Sequence, residues 1–383
     1  MQLQATHARL GSCNRPVDHL TRQRLVVRSS AVSTSIKQPC SVNLENLGRA
    51  EGQTFPLNLY GGKKPSFVGK VVSIERLGGR DKERDVSHIV IDTGGVPFVE
   101  GQSFGVQPPG TKLNSRGVEV PQHVRLYSIA SSRYGDSGDG KTCTLCVVRV
   151  IYPVAGVIWH NQQCDCFGSA SCVLCVVRVI YPDPATGETV HGLCSNYLCD
   201  CKPGDELVMS GPAGTALLLN DNPWNKRIVC VSTGTGIAPF RSFWRRIFFD
   251  GIDGQAPQPF SDSALFWLLS GFANTDSVLY GDELKAALEA NPKHMRLDIA
   301  LSLEQQNGQG GPEYVQDRIH EHAQEFLDLM ASDDAIFYFC GLKRMYSSVL
   351  EMLETMGREH RGMDVPALIA QLKKSHRWHV ETA

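Results

Sequence analysis

The residues whose types and spacing could do chemistry lie in three short segments in the middle of the chain. These are RLYSIASS (125–132), GLCSN (192–196), which we predict to be a loop, and TGTGIAPF (233–240). The third segment follows the apolar run 228–232, where a strand would pass into a helix. Glycines in such a turn let the backbone approach a pyrophosphate, and the N-terminus of a helix favours anions. Because the turn departs from GxGxxG, it is only a weak signal for a dinucleotide site by itself.

Two kinds of secondary structure must position these segments. In the first half, short β-rich stretches separated by Gly, Pro and Asp predict an antiparallel barrel or sandwich at 67–75, 88–92, 102–106 and 124–129. From residue 228 onward, buried strands are predicted at 228–232, 264–269, 296–301 and 335–339, and helical periodicity at 282–289, 317–330 and 343–356. Alternating strands and helices indicate a doubly wound parallel sheet. The predicted fold class is therefore β + α/β, with a barrel at 66–215 and a parallel-sheet domain at 225–383.

The first 65 residues differ from both domains. Residues 1–38 contain one acid, Asp18, against six basic residues, and hydroxyl side chains cluster at 29–35. Leaders that are rich in Arg and Ser, poor in acids and without an apolar core are typical of organelle transit peptides. We therefore expect an organelle transit peptide at 1–40, removed near residues 28–40, and a polar linker at 41–65. A disordered basic tail is the alternative.

Composition narrows the class of protein. The chain has 383 residues, of which 20% are charged and 42% hydrophobic, and its formal net charge is −2. These values are typical of a soluble globular protein and give no electrostatic support to a nucleic-acid partner. The thirteen cysteines include no paired CxxC, so we predict no metal site and treat most of them as small buried side chains.

One sequence, LCVVRVIYP, occurs twice, at 145–153 and again at 174–182. A single identical repeat does not indicate a solenoid, which needs several diverged copies. We interpret the stretch as a duplicated or mis-spliced segment. One copy would then lie in the barrel and the other would form a surplus strand or loop.

Five motifs in order resemble the plant-type ferredoxin–NADP reductase family: RLYSIASS, GLCSN, GTGIAPFRSF, CGLK (340–343) and WHVE (378–381). The resemblance covers residue 65 to the C-terminus. It implies an FAD-binding antiparallel β-barrel followed by a nucleotide-binding α/β domain, with noncovalent FAD between them. It also implies transfer of electrons between ferredoxin and NADP(H).

The resemblance assigns the flavin contacts to the barrel. Arg125 would pair with the FAD diphosphate through its bidentate fork, Tyr127 would stack on the isoalloxazine, and Ser128 would hydrogen-bond near flavin N5. Tyr181, or Tyr152 in the other copy, would stack on the adenine. The remaining implied FAD contacts are Leu126, Cys175, Leu193, Cys194, Ser195 and Thr235.

The nicotinamide side is assigned to the second domain. The implied catalytic residues are Ser128, Cys340 and Glu381, of which the last two would lie beside the nicotinamide. The implied NADP contacts are Thr235, Phe272, Ala273, Ser302, Tyr314, Gln316, Gly341, Leu342 and Glu381.

The chain departs from the family pattern in two ways. Leu303, Pro312 and Val177 (or Val148) stand where the family has cations that contact phosphates. Each such contact contributes roughly 1.5–3 kcal/mol, so we expect a reduced preference for NADP over NAD. The sequence also ends Glu381-Thr382-Ala383 where the family commonly ends in a tyrosine that covers the flavin, from which we expect weaker discrimination between nucleotides.

The implied partner is ferredoxin, an acidic [2Fe–2S] protein, with flavodoxin as a further candidate and peripheral association with the thylakoid from the stroma. An acidic partner requires a basic face. The candidates for it are Lys63, Lys64, Lys70, Arg76, Arg80, Lys82, Arg84, Lys112 and Arg116. The rival hypotheses are an NADH-preferring flavin reductase or diaphorase, and a non-catalytic relative disabled by the repeat and the altered terminus.

Overall fold

The structure is a computed structural model, and it describes residues 43–77, 84–150, 177–178, 180–182, 189–251 and 256–382. At 84–85, 149–150, 177–178, 180–182, 189–191 and 360–361 it describes the backbone only. The described residues belong to one compact unit, 37–383. Among them, no helix is both long and apolar enough to cross a bilayer.

The first half forms an antiparallel sheet that closes on itself. Its strands are β1 (Phe67–Leu77), β2 (Arg84–Asp92), β3 (Ser103–Gln107), β6 (Arg125–Ser128), β7 (Thr142–Val150) and β11 (Glu206–Ala213). Their order is β6-β3-β11-β1-β2-β7, and a bridge between Ile129 and Leu145 joins the two outer strands. Along β1, buried Phe67, Gly69 and Val71 alternate with exposed neighbours, because successive side chains point to opposite faces. The predicted barrel is confirmed.

Smaller strands flank this barrel. A hairpin pairs β4 (Thr111–Leu113) with β5 (Glu119–Pro121), and β9 (Ile180–Pro182) pairs with β10 (Thr189–His191). Residues 145–150 of the first copy of LCVVRVIYP lie in β7, which pairs with β2 in continuous register over 142–150. The second copy contributes β8 (Val177–Arg178), which runs parallel to β7 at its outer edge, and β9. Cys175 and the side chain of Tyr181 lie outside the described part of the chain.

The second half is a parallel sheet between helices. The strands β12 (Arg227–Thr233), β13 (Leu265–Phe272), β14 (Met295–Leu301), β15 (Ala335–Gly341) and β16 (Trp378–Thr382) have the order β14-β13-β12-β15-β16. The helices are α2 (Ala238–Phe248), α3 (Gly281–Ala290), α4 (Val315–Glu321), α5 (Ala323–Ala331), α6 (Lys343–Arg361) and α7 (Val365–Lys374). Every residue of β15 is buried, as expected for a strand covered on both faces. The doubly wound sheet is confirmed.

Two local predictions were wrong. The segment 317–330 was expected to be one helix, but α4 ends at Glu321 and α5 begins at Ala323, with His322 between them at φ −113° and ψ 28°. GLCSN was expected to be a loop, but Leu193 begins an eight-residue helix, α1 (Leu193–Asp200). Short helices like these lack a strong periodic signal, so the packing around them decides their shape.

Residues 43–61 pack along the barrel rather than standing apart from it. Leu47 is buried, and the backbone of Tyr60 forms a bridge with Gly211. The Arg133 guanidinium donates hydrogen bonds to the carbonyls of Leu44 and Leu47, at 3.1 and 2.5 Å. Glu45 in turn pairs with Arg246 of α2 at 2.9 Å. This segment therefore contacts both halves of the molecule.

Candidate functional site at the seam between barrel and sheet

The strongest site geometry lies where the parallel strands end. β12 lies between β13 and β15. The strands that follow β12 add to the sheet first on one side of it, as β13 and β14, and then on the other side, as β15 and β16, so the strand order reverses beside β12. In open α/β sheets, ligands bind beyond the carboxyl ends of the strands at such a switch point. The turn 234–237 follows β12 here, with Thr235 buried within it, and Cys340 lies at the end of β15.

Two glycines allow these strand ends to touch. A Cβ added to Gly236 would lie 2.2 Å from the Cys340 carbonyl oxygen, and one added to Gly341 would lie 2.4 Å from Thr233 Oγ1. Gly341 also has φ +146°, which side chains rarely adopt. The turn that begins α2 and the end of β15 are therefore in direct backbone contact.

The other residues assigned to the nucleotide line the same edge of the sheet. Phe272 ends β13 and is buried with Ala273, and their carbonyls accept hydrogen bonds from the backbone of Ser302 and Leu303 at 3.0 and 2.7 Å. The structure brings together at this edge the predicted contacts Thr235, Phe272, Ala273, Ser302, Tyr314, Gln316, Gly341, Leu342 and Glu381, each at or just beyond a strand end or at the start of α4.

The exposed side chains at this edge are mainly apolar. Leu303 is 75% exposed, Leu342 is 59% exposed and Tyr314 is 48% exposed. Ser302 and Gln316 are half-buried. A phosphate here would meet hydroxyl and amide groups at Ser302, Tyr314 and Gln316, but Leu303 offers it no charge.

The strand β6, called the flavin strand below after its predicted role, lies at one end of the strand order and its side chains differ in burial. Arg125 is exposed, Leu126 is half-buried, and Tyr127 and Ser128 are buried. The Oγ atom of Ser128 has no hydrogen-bond partner among the described residues. A buried hydroxyl without a partner costs free energy, so this atom fits a polar ligand at the seam.

Tyr127 belongs to the barrel core, with only 2% of its side chain exposed. Its hydroxyl lies beside the Cys194 thiol of α1, and burial raises the Tyr127 pKa well above its usual value. Burial likewise raises the pKa of Cys194 to about 11, opposed by the Tyr127 hydroxyl and the Arg125 charge. The thiol is therefore neutral at physiological pH. The stacking role of Tyr127 stays a prediction.

Arg125 and the start of α1 together suit a diphosphate. The guanidinium of Arg125 makes two long contacts, at 3.4 Å, with the carbonyls of His123 and Val124, so donors remain for a ligand. Its charge lowers the pKa of Cys194, which places it near the N-terminus of α1. Cys194 and Ser195 lie buried in the first turn of α1, and Leu193 is exposed there. A cation beside a helix N-terminus favours an anion.

The barrel and the sheet meet at this site through one buried cluster. Ala130, two residues beyond Ser128, belongs to the same hydrophobic cluster as Ile237, Ala238 and Cys340. The flavin strand and the turn 234–237, called the nucleotide turn below after its predicted role, therefore lie on the two sides of a single seam. Glu381, at the end of β16, pairs with Cys340 along the sheet and is half-buried.

The assignments from sequence missed the charged residues that join the two halves. Arg241 lies within the GTGIAPFRSF motif, yet nothing in the motif shows that its side chain reaches the barrel. Glu100 and Arg133, which the sequence assignments also missed, form a buried ion pair within the first half, at 2.6 Å. Burial by itself would raise the pKa of Glu100, but Arg133 holds it below its usual value. No cluster of His, Cys, Asp and Glu among the described residues could hold a metal ion.

Comparisons with known proteins agree with this architecture. Residues 230–351 match the model of the oxidoreductase NAD-binding domain. The chain is 44% identical over 358 residues to the chloroplastic ferredoxin–NADP reductase of Chlamydomonas reinhardtii, covering 92% of this chain and 88% of that one. It is 39% identical to root isozyme 2 of Arabidopsis thaliana, also chloroplastic, over 92% and 84%.

Solved structures show the same fold. The ferredoxin–NADP+ reductase of Plasmodium falciparum matches with a TM-score of 0.58 at 24% identity, over 86% of this chain and all of that one. The same protein with 2'P-AMP gives a TM-score of 0.59 at 23% identity.

Proposed function

The chain belongs to the ferredoxin–NADP reductase family, and we propose that it is an FAD-dependent enzyme that passes electrons between ferredoxin and NADP(H). The observation that carries this proposal is the seam, where Ala130 of the flavin strand's loop and Ile237 and Cys340 of the sheet share one buried cluster. Two cofactors bound on opposite sides of this seam would face each other. When bound, the flavin supplies the conversion between a two-electron hydride and single electrons.

Residues of the barrel would hold and orient the FAD. Arg125 and the first turn of α1 would bind the diphosphate, and Ser128 Oγ would donate or accept a hydrogen bond at the ring edge. The buried Ser128 hydroxyl supports this role because it lacks a partner among the described residues. Tyr127, Leu126, Tyr181 and Cys175 complete the proposed FAD contacts.

Residues of the sheet would hold the NADP(H). The close backbone contact of Gly236 with Cys340 supports a site in which a flat nicotinamide would lie against these two strand ends, near Thr235 and Glu381. Glu381 is the carboxylate proposed to position the nicotinamide and to assist proton transfer. The reversal of the strand order beside β12 supports nucleotide binding at the carboxyl ends of these strands.

Ferredoxin is the proposed electron partner, and flavodoxin a further one. Described candidates for the basic face are exposed at Lys63, Lys64, Lys70, Arg76 and Arg116. Lys112 contacts His123 beside Arg125, and burial together with Lys112 and Arg125 lowers the pKa of His123. Arg80, Lys82 and the side chain of Arg84 lie outside the described part. Lys112 and Arg125 form a basic patch, called the Arg125 patch, which best supports docking close to the flavin.

The proposed site of action is the chloroplast, in the stroma, with peripheral association to the thylakoid. The proposed transit peptide, residues 1–40, lies outside the described residues. Because Leu44, Glu45 and Leu47 make contacts with Arg133 and Arg246, we infer that processing leaves residue 43 and those after it in the mature chain.

Spectroscopy and steady-state kinetics test the function. Protein purified from residue 43 onward should be yellow with noncovalent FAD, and should reduce ferredoxin with NADPH. A colourless protein that takes up no added FAD would contradict the proposal and favour a non-catalytic relative.

A second candidate is an NADH-preferring diaphorase, favoured by one observation. Leu303 is exposed at the position where the 2'-phosphate would lie, so no cation there selects NADP. The ratio of kcat/KM for NADPH and NADH separates the two candidates. A ratio at or below about one would favour the diaphorase.

A further inference from the structure

One side chain joins the flavin strand's loop to the helix that starts at the nucleotide turn. Arg241 lies in the first turn of α2, three residues after Ala238, and only 4% of it is exposed. Its Nη1 donates to the Ala130 carbonyl and to Asp136 Oδ1, both at 2.8 Å. Ala130 follows Ser128 by two residues, and Ala238 follows Thr235 by three. A polar link between these two site segments therefore runs through Arg241.

The opposite edge of the guanidinium is fixed within the sheet domain. Nε and Nη2 donate to Glu283 Oε2 of α3, at 3.2 and 2.8 Å, and the plane lies over the Tyr280 ring at 4.7 Å. Trp244 also donates to Glu283, at 2.5 Å. Burial opposes the charge of Arg241, but Glu283 and Asp136 raise its pKa, so the group stays charged. A planar fork can hold these acceptors at fixed angles, whereas a lysine cannot.

The barrel side of the link is equally constrained. Asp136 also contacts His88 Nε2 at 2.9 Å and accepts from Thr144 Oγ1 at 2.6 Å. Burial opposes its negative charge, but the hydrogen bond from His88 and the charge of Arg241 hold the pKa of Asp136 below its usual value. The same loop reaches the far end of α2, where Ser132 donates to Asp250 at 2.9 Å. The loop 129–136 therefore holds α2 near both ends.

We propose that Arg241 is a positioning residue for hydride transfer: by joining the loop after Ser128 to the helix after Thr235, it sets the spacing between flavin and nicotinamide. This proposal rests on the proposed function. The Arg241 side chain contacts neither proposed cofactor site directly and acts through the two backbone segments that it joins. Misplacing reacting groups by about 1 Å costs up to roughly a hundredfold in rate. Loss of this link should therefore slow hydride transfer much more than it weakens nucleotide binding.

A matched pair of variants tests the proposal. Asp136→Asn weakens the link to the barrel, and Glu283→Gln weakens the link within the sheet domain, and each removes one charge that faces the same arginine. We expect Asp136→Asn to slow reduction of bound FAD by saturating NADPH by roughly tenfold or more, with KM for NADPH within about twofold. Glu283→Gln should stay within about twofold of the parent. Arg241→Lys, which keeps the charge, should resemble Asp136→Asn.

Two further readouts separate positioning from a general loss of structure. Long-wavelength absorbance from stacking of nicotinamide on flavin should weaken in Asp136→Asn and Arg241→Lys only. In the FAD-free protein, hydrogen exchange should accelerate at 129–136 and 234–238 in those two variants and not in Glu283→Gln. Equal effects of Asp136→Asn and Glu283→Gln, or parent-like hydride transfer in Arg241→Lys, would overturn the proposal. Absence of FAD reduction by NADPH in the parent would instead contradict the proposed function.

Discussion

The hydroxyl of Ser128 shows how one buried atom can indicate a ligand. It has no partner among the described residues, whereas the buried hydroxyl of Ser242 donates to the Pro239 carbonyl at 2.6 Å. A hydrogen bond contributes about 0.5–1.5 kcal/mol net, but a buried polar group without one is unfavourable. The two serines are therefore a natural comparison, since both are buried and only one is satisfied by the protein itself.

Replacing Ser128 with Ala should leave the unfolding free energy of the FAD-free protein unchanged or slightly higher. The same change should weaken FAD binding by roughly threefold to tenfold, because the ligand loses a hydrogen bond. Ser242→Ala is the control and should cost about 1 kcal/mol in the FAD-free protein. Urea unfolding and FAD titration measure both effects. A large loss of stability in FAD-free Ser128→Ala would mean that the hydroxyl is paired within the protein.

Leu303 is the residue at which specificity for the nucleotide should be adjustable. It is 75% exposed beside Ser302, so a longer charged side chain can be accommodated without repacking. Leu303→Arg should raise the kcat/KM ratio of NADPH to NADH by about tenfold to a hundredfold, because a charge-assisted contact with phosphate contributes roughly 1.5–3 kcal/mol. Val72→Arg, at an exposed position on the barrel strand β1, is the control for added positive charge. An unchanged ratio in Leu303→Arg would place the 2'-phosphate elsewhere.

At the scale of elements, α2 is the helix on which the seam depends, and its far end carries a pH-sensitive contact. Burial raises the pKa of Asp250 to about 7, with Glu100 adding to the rise and Ser132, Arg246 and Arg245 opposing it. The folded state therefore binds this proton more tightly than the unfolded state. The contribution of the neutral carboxyl to stability should be present at low pH and decline as pH rises from about 4 through about 7.

Asp250→Asn removes that titration. At pH 5 the variant and the parent should have similar free energies of unfolding, and at pH 8 the variant should be more stable by roughly 1–3 kcal/mol. Asp334→Asn is the opposite control, because the hydrogen bond from Arg227 lowers the pKa of Asp334 and the charged form is the stabilising one. It should lose stability at both pH values. A difference between Asp250→Asn and the parent that does not change with pH would contradict the titration.

The repeated strand leads to a prediction about a whole element. Six residues of the first copy, 145–150, pair with β2, whereas the second copy adds two residues at the edge of β7. Deleting 154–182 joins Pro153 to Asp183, and deleting 145–173 produces the same polypeptide, since the copies are identical. We expect the shortened chain to fold, to bind FAD and to melt at or above the temperature of the parent. A shortened chain without FAD would show that the extra 29 residues contribute to the barrel.

At the scale of the whole molecule, the sequence predicted the elements that have a sustained hydrophobic pattern. It failed for the short elements whose conformation depends on the packing around them. The parallel strands were predictable because strands such as β15 are buried on both faces and read as continuous apolar runs. The helix break at His322 and the short helix at Leu193 were not, because neither has a local stop or start signal strong enough. Arg241 and Asp136 are 105 residues apart, so no local pattern could connect them.

Docking of an acidic partner is a property of the whole surface and should depend on ionic strength. The charges around Arg125 are exposed, and surface attraction between proteins is screened within about 10 Å at 0.1 M salt. Arg116→Glu reverses one exposed charge in the turn of the β4–β5 hairpin, which also carries Lys112. Lys374→Glu, on the exposed end of α7, makes the same change away from it.

At low salt, Arg116→Glu should raise KM for ferredoxin by roughly threefold to tenfold, and the difference from the parent should shrink as salt is added. Reduction of a small neutral acceptor by NADPH should be unchanged in both variants. If Lys374→Glu raises KM for ferredoxin as much as Arg116→Glu does, net charge rather than this patch governs docking.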